Sequence, residues 1–429
     1  MRVSSWFSME AIEKIFVFSG QQFSNLLYIG LTLLFACMYT FPSVQVYINI
    51  QLVASLSAVF FVLYILRSFN KILLRNILLL ILGYSSLMYL VAIPGDFKYG
   101  FLHPALSAWY FVFPGILCSD IIRRGNRFNI KIVAVVSCIL LSIVLFNSVS
   151  QLQVNPTMMR DMTASIMDKD QNVLYKLQNI GGFGFSYTCG MLLVFTVALL
   201  LYRRWTFLWR LIIWSSILFL AYFVMNANFT TLLLLTFGVL LYTIYINIKS
   251  TALRFIIVCL APIAIFTFPI LLQSASEFYS GTVIGDKLDR MYLSFFGEGD
   301  VSDFSGARSQ IQLDILKESI FSPIWGHNVT SGTNAFLYSA SHSSFLGTLL
   351  ATGLLGLYFH YKLLYIVFVN CTAKYKLFWK NIILPVIVYY SFLSIFNPAE
   401  TPELSWSLFA IIPLIINIIY INKYEKLEN

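Results

Sequence analysis

The chain has 429 residues, of which 59% are hydrophobic and only 11% are charged, and its mean hydropathy is +0.79. A soluble domain carries roughly 25% charged residues, so this sequence has too little charge to cover a surface that faces water. The composition excludes an ordinary soluble enzyme, a disordered chain and a nucleic-acid-binding module. The net charge of +9 is instead typical of the unequal loop charges of a membrane protein.

Long apolar runs recur along the whole chain. A helix needs roughly 20 apolar residues to cross the hydrocarbon core of a bilayer. About twelve runs approach this length, near residues 25–42, 44–66, 76–93, 104–122, 131–149, 180–202, 210–226, 229–248, 252–272, 343–369, 382–397 and 404–421. We therefore expect an all-α, polytopic membrane protein that forms a single domain over residues 1–429.

Lys and Arg residues are divided unequally between the two alternating sets of connections. One set, which includes both termini, has 20 of the 28, and the other set has eight. Because short cytoplasmic loops are enriched in Lys and Arg, we expect a bacterial inner (plasma) membrane protein with both termini in the cytoplasm. The two long loops, 150–179 and 273–342, then lie in the periplasm. Loops of this length are uncommon unless they are functional, so we expect the chemistry at the periplasmic face.

The second long loop is predicted to be partly helical. Its residues 305–321 have a helical period, and Pro323 and Gly326 are typical of a segment that follows a helix. The predicted apolar face of this helix consists of Ile311, Leu313, Ile315, Leu316 and Ile320.

Two arginines of this loop are candidates for an anion site. Arg308 lies in the first turn of the predicted helix, where a cation opposes the helix dipole unless an anion lies between it and the helix N-terminus. Arg290 precedes it in the same loop, and two guanidinium groups suit the two phosphates of a pyrophosphate. The alternatives are a solvated Arg308 and a local ion pair of Arg290 with Asp286 or Asp289.

The four histidines are the candidates for proton transfer. His342 lies where the loop meets the next apolar run, and it could serve as a general base or be a satisfied interface residue. His327 has the same two interpretations. His103 is expected in a short external loop and His360 in or near the cytoplasmic half of a span, and neither is assigned a role. No third nitrogen or sulfur ligand lies at a metal-binding spacing from these residues, so we expect no metal site.

The stretch from Arg308 to Leu357 resembles the signature of the O-antigen polymerase and ligase superfamily. An Arg opens a helix, and three short segments follow: Ser322-Pro323-Ile324-Trp325-Gly326-His327, His342-Ser343-Ser344-Phe345-Leu346 and Gly353-Leu354-Leu355-Gly356-Leu357. The resemblance covers about 50 residues closely and the remaining chain through its span layout. Within the superfamily the chain is most similar to Wzy-type O-antigen polymerases.

This resemblance implies a GT-C-like, inverting, metal-independent glycosyltransferase without a cofactor. It would polymerise undecaprenyl-pyrophosphate-linked oligosaccharide repeat units at the periplasmic face. The implied partners are these lipid-linked glycans, membrane lipids and a chain-length regulator, with no nucleic acid. His342 and Arg308 match the family's catalytic positions. The candidate substrate-binding residues are Arg290, His327, Asn328 and Arg160.

The sequence departs from the family pattern at two places. Gln312 stands where members often have Trp, and the segment 226–231 lacks the Arg that members often carry there. Arg160, in the first long loop, is the proposed substitute for this third phosphate-binding arginine. The competing functions are an O-antigen ligase, which transfers the polymer to lipid A core, and a flippase or other transporter of lipid-linked oligosaccharides. A peptidoglycan-type polymerase is a third competitor, for which an essential external acid is expected.

Overall fold

The computed structural model describes residues 9–94, 100–163, 168–202, 205–227, 229–282, 285, 288–289, 292–293 and 305–428. These residues form helices and short connections, and none of them is in a β-strand. The prediction of an all-α fold is therefore confirmed.

Seventeen helices of the described chain are numbered here in chain order. The first six are α1 (Met9–Thr40), α2 (Pro42–Tyr47), α3 (Ile50–Ile65), α4 (Lys71–Ala92), α5 (Leu102–Arg124) and α6 (Arg127–Val154). The next six are α7 (Met158–Thr163), α8 (Lys169–Leu177), α9 (Phe183–Tyr202), α10 (Phe207–Asn226), α11 (Thr230–Asn247) and α12 (Thr251–Phe278). The last five are α13 (Ser305–Phe321), α14 (Gly332–Ala340), α15 (Ser344–Tyr375), α16 (Trp379–Phe396) and α17 (Pro402–Ile421).

Nine helices in the described ranges are long and apolar enough to cross a membrane. They are α4, α5, α6, α9, α10, α11, α15, α16 and α17. A polytopic membrane protein is therefore supported. The three other predicted spans fall on α1, α3 and α12, where the apolar parts of α1 and α3 are shorter, Ser24–Thr40 and Ile50–Ile65. The count of twelve spans stays a prediction.

Short polar turns end and begin the spans. Gly125 follows α5 with a left-handed φ of +68°, a conformation that glycine adopts without steric cost. Asn126 then caps α6, because its side-chain oxygen accepts hydrogen bonds from two amides of the first turn. Asn70 caps α4 in the same way. Polar caps therefore satisfy the helix ends where the chain turns back.

The core lies between α5, α17 and the helices around them. Of the most apolar part of each span, 72% is buried in α5 and 78% in α17, against 28% in α10 and 22% in α11. Trp406 of α17 is fully buried, and its indole N–H donates to the hydroxyl of Ser137 in α6 at 3.0 Å. A buried indole needs such a partner. Hence α5 and α17 form the centre of the bundle, while α10 and α11 present most of their surface outward.

A second, smaller core forms where α13 and α14 pack against α15. We call this end of the bundle, which also carries the end of α4 and the start of α5, the loop end. The residues of the small core are Ala92, Ile315, Val329, Leu337, Leu346, Leu350 and Ala351. This small core holds α13 and α14 against α15 and the end of α4.

Helix α13 has the bounds predicted from the sequence, but its buried face is narrower than expected. Ile315 is fully buried and Ile311 is half-buried, as predicted. In contrast, Leu313, Leu316 and Ile320 are 52%, 44% and 74% exposed. The reason is that α13 packs against its neighbours along one side only, so one stripe of the helix suffices for the contact.

Candidate functional site

Helix α15 is interrupted at Gly353. This residue has φ +62° and ψ −164°, a backbone conformation that is essentially restricted to glycine. The break separates a short helical segment, residues 344–352, from the rest of α15. A Cβ atom at Gly353 would also overlap the carbonyl carbon of Ile324, so both the conformation and the space require glycine.

The turn that follows α13 fills this break. In an unbroken helix the Leu354 amide would donate to the Leu350 carbonyl. Here the Leu354 amide donates to the carbonyl of Pro323 at 2.8 Å, and the Leu350 carbonyl accepts from the amide of His327 at 2.8 Å. The turn thus supplies the partners that the break removes from α15. Two of the three short segments of the family resemblance, those containing Gly326 and Gly353, therefore form one structural unit.

Gly326 is the counterpart of Gly353 in the turn. It has φ +80°, and a Cβ atom at this position would overlap the backbone of Ala351. Each glycine therefore allows the close approach of the segment that contains the other.

The predicted substrate-binding residues His327 and Asn328 have local partners in this turn. The Nε2 atom of His327 lies 2.9 Å from the carbonyl oxygen of Glu318 in α13. The side-chain oxygen of Asn328 accepts hydrogen bonds from the amide of Thr330 at 2.8 Å and from its hydroxyl at 2.6 Å. These contacts hold the turn in place, and a role of either residue in substrate binding stays a prediction.

His342 lies at the junction of α14 and α15 and is exposed, with a left-handed φ of +44°. The residues after it attach the junction to the end of α16. The Ser343 hydroxyl donates to the carbonyl of Ile395 at 2.6 Å, and the Ser344 hydroxyl accepts from the amide of Ala399 at 2.8 Å. His342 is thereby held beside the connection between α16 and α17.

The predicted arginines are described in part. Arg308 lies in the first turn of α13, but its side chain is outside the described part of the structure. Arg290 lies outside the described residues. Arg160 is half-buried on α7, which packs against α6 and α9. The proposed pairing of Arg308 with Arg290 therefore stays a prediction.

A cavity of about 170 Å³ opens at the loop end, and the sequence had not indicated it. It lies between α4, α5, α14, α15 and the connection after α16. Its polar lining residues are Tyr84, His103, Ser107, Tyr338, His360 and Glu400, and apolar side chains of α4, α5 and α15 complete the wall.

His360 and Glu400 form a close pair in this cavity. The Nε2 atom of His360 lies 3.3 Å from Oε1 of Glu400, at a geometry that makes the contact electrostatic rather than a directed hydrogen bond. The side chain of His360 is 6% exposed and that of Glu400 is 39% exposed. The ring of Tyr84 lies 5.4 Å from the imidazole. An ionisable group inside a spanning helix, with an ionisable partner, is typical of a functional site.

Tyr338 of α14 closes the cavity from the loop side. Burial raises the pKa of its hydroxyl, and the Glu400 carboxylate raises it further, although 37% of the side chain is exposed. Both causes disfavour the phenolate. The hydroxyl of Tyr338 therefore remains protonated at neutral pH and can donate a hydrogen bond to a ligand.

His103 and His360 lie on different helices, yet both line this cavity. We expected His103 in an external loop and His360 in or near the cytoplasmic half of a span, and the side of the membrane on which each lies stays a prediction. His360 follows the break at Gly353 by about two helical turns. The glycines at positions 326 and 353 were the sequence signal that could have located the break in α15. Glu400 was missed because a single acid in a short connection carries no recognisable pattern.

A metal centre is not indicated in the parts of the chain that the structure describes, which hold no group of three or more His, Cys, Asp or Glu side chains able to bind an ion. In the comparisons with known proteins, neither a family model nor a curated protein matches this chain. A functional proposal therefore rests on the contacts at the loop end and on the sequence resemblance.

Proposed function

We propose that the protein is an O-antigen polymerase type of glycosyltransferase, which joins undecaprenyl-pyrophosphate-linked repeat units. The observation that carries the proposal is the insertion of the turn at Gly326 into the break at Gly353. The two glycines of these motifs are 27 residues apart in the sequence, and the contact between them supports the interpretation that the motifs belong to one functional element. A GT-C-like bundle with twelve spans is part of the proposal.

The proposed orientation puts the loop end in the periplasm and both termini in the cytoplasm of a bacterial cell. The distribution of Lys and Arg supports this orientation, because 20 of the 28 lie on the opposite side from the long loops. Nucleotide sugars are cytoplasmic, so an enzyme on the periplasmic face needs a pre-activated donor. A glycan on a polyprenyl pyrophosphate is such a donor, since its leaving group is already attached.

In the proposed reaction, an acceptor hydroxyl attacks the anomeric carbon of the donor sugar. The bond from that carbon to the pyrophosphate oxygen breaks, and undecaprenyl pyrophosphate leaves with inversion at the carbon. His342 takes the proton of the hydroxyl, which its exposed position at the α14–α15 junction allows. Arg308, with Arg290, stabilises the negative charge that develops on the leaving oxygen.

The exposed apolar row of α13 suits a lipid-linked substrate. Leu313, Leu316 and Ile320 lie on the side of α13 that faces away from the small core. An amphipathic helix with such a row lies in the membrane interface, with its apolar side toward the acyl chains. This arrangement would bring the N-terminus of α13, and Arg308 with it, to the depth of a lipid pyrophosphate.

The test is a gel of the glycan ladder from a deletion strain that expresses the wild type, Arg308→Ala or His342→Ala. We expect both variants to lose polymer while their amounts in the membrane stay normal. Lys317→Ala is the matched control, because Lys317 is an exposed cation of the same helix. A normal glycan ladder from Arg308→Ala would contradict the proposed anion site at Arg308. In the deletion strain, lipid A cores capped with one repeat unit support a polymerase, and bare cores indicate a ligase instead.

A further inference from the structure

We infer that the cavity lined by His360 and Glu400 binds one sugar ring of the acceptor repeat unit. The inference rests on the proposed function and adds a substrate site that the sequence motifs do not include. Glu400 is assigned as the carboxylate that accepts hydrogen bonds from the sugar hydroxyls, and His360 as the residue that positions it.

The position of the cavity favours the acceptor over the donor. The connection that carries Glu400 is fixed to the start of α15, because the amide of Ala399 donates to the hydroxyl of Ser344 at 2.8 Å. Ser344 is two residues from His342, the proposed proton acceptor. The connection that carries Glu400 is therefore attached to the chain two residues from the group that must take the proton from an attacking hydroxyl.

The dimensions of the cavity match a small ligand. A volume of about 170 Å³ is below the roughly 300–1,000 Å³ of sites that enclose drug-sized molecules. A single sugar ring fits such a space, while the remaining sugars of a repeat unit must lie outside it.

The lining has the two kinds of group that a sugar requires. Sugars have hydroxyls that donate hydrogen bonds and a face of C–H groups that packs on aromatic rings. A carboxylate accepts several hydrogen bonds, and Glu400 is partly exposed in the cavity. Tyr84, Phe111 and Tyr338 contribute aromatic rings. A site for a lipid tail would have no use for the two histidines and the carboxylate.

His360 is suited to hold Glu400 rather than to contact the sugar itself. Its side chain is 6% exposed, and its Nε2 atom lies 3.3 Å from the Glu400 carboxylate. In the described part of the structure, no hydrogen bond reaches that nitrogen from another group. The imidazole therefore has one near polar partner at Nε2, and that partner is the carboxylate.

The experiment measures sugar binding without relying on turnover. Ser107 lines the cavity, whereas Leu102, five residues earlier on α5, is exposed and does not. The full-length variants Ser107→Cys and Leu102→Cys are labelled with a membrane-impermeant maleimide, with the wild type as the background. The probe is the lipid-linked repeat unit extracted from the deletion strain. We expect it to slow labelling at position 107 at least fivefold and to leave position 102 unchanged.

Substitutions at Glu400 and His360 test their roles. In the Ser107→Cys background, Glu400→Gln should raise the repeat-unit concentration needed for protection at least tenfold, because a neutral amide binds hydroxyls more weakly than a carboxylate. His360→Leu should do the same, and His360→Gln, which keeps a donor, should restore part of the protection. The Tm of each variant in detergent reports whether it is folded.

Two results would overturn the sugar site. One is unchanged labelling at position 107 in the presence of the repeat unit. The other is equal protection by undecaprenyl pyrophosphate that carries no sugar. Polymer formation in the complemented deletion strain distinguishes failure of this inference from failure of the proposed function. If the wild type makes polymer but the repeat unit does not protect position 107, the sugar site is excluded and the polymerase assignment stands. If no polymer forms but position 107 is protected, the polymerase assignment is excluded and the sugar site stands.

Discussion

Gly326 and Gly353 both have a positive φ, and each packs against the backbone of the residues that directly precede the other. This contact joins the turn after α13 to the break in α15. The geometry of the loop end therefore depends on two residues that have no side chain.

Gly353→Ala should destabilise the protein. The substitution forces a residue with a Cβ atom into a positive φ, at a cost of about 1–3 kcal/mol, and the new atom overlaps the backbone of Ile324. We expect a lower Tm of the purified protein in detergent. Gly238→Ala in α11 is the control, because a Cβ there meets nothing within 4 Å and alanine favours helix. An unchanged Tm for Gly353→Ala would contradict the assigned role of the break.

Hydropathy and helical periodicity predicted only part of this structure, because both patterns report only where apolar residues recur. Apolar runs located the nine candidate spans, and the helical period with Pro323 located α13 to the residue. Neither pattern predicts the break at Gly353, because hydropathy carries no information on the backbone conformation of one residue. The pair of His360 and Glu400 was missed because it depends on how the connection between α16 and α17 folds back onto α15, which neither pattern reports.

Asp120→Asn should destabilise the opposite end of the bundle. The Asp120 carboxylate is fully buried and accepts hydrogen bonds from Tyr28 at 2.8 Å, Arg123 at 2.9 Å and Arg124 at 2.7 Å. Removal of its charge leaves both guanidinium groups without their counter-ion, which for a buried pair costs about 3–5 kcal/mol at most sites where it has been measured. The partial exposure of the arginines places the expected loss at the lower end.

Thermal unfolding in detergent measures this loss, and Asp314→Asn provides the comparison. Asp314 forms an exposed ion pair with Lys317 at 3.2 Å, and such surface pairs contribute roughly 0–1 kcal/mol. We expect a clear fall in Tm for Asp120→Asn and almost none for Asp314→Asn. Equal shifts would mean that the buried carboxylate does not hold α1 and α5 together.

The exposed row of α13 should face lipid. Leu316 is 44% exposed on this row, whereas Asp314 lies about 160° away around the helix, and its side chain is 38% exposed. Spin labels on Leu316→Cys and Asp314→Cys in bilayers should differ, with oxygen colliding more with the first and a polar nickel reagent more with the second. Oxygen partitions into acyl chains, so this contrast reports depth. Equal accessibility to the nickel reagent would place α13 in water, away from the interface.

Arg308→Lys tests whether the proposed anion site needs the shape of arginine and not only its charge. A guanidinium group donates two parallel hydrogen bonds to a phosphate, whereas an ammonium group acts as a point charge. We expect a severe loss of polymer, of at least tenfold in the ladder, with an unchanged amount of protein in the membrane. Lys317→Arg on the same helix controls for a general effect of exchanging cations. If Arg308→Lys made chains of normal length and amount, the charge alone would suffice, and bidentate binding of the leaving pyrophosphate would be excluded.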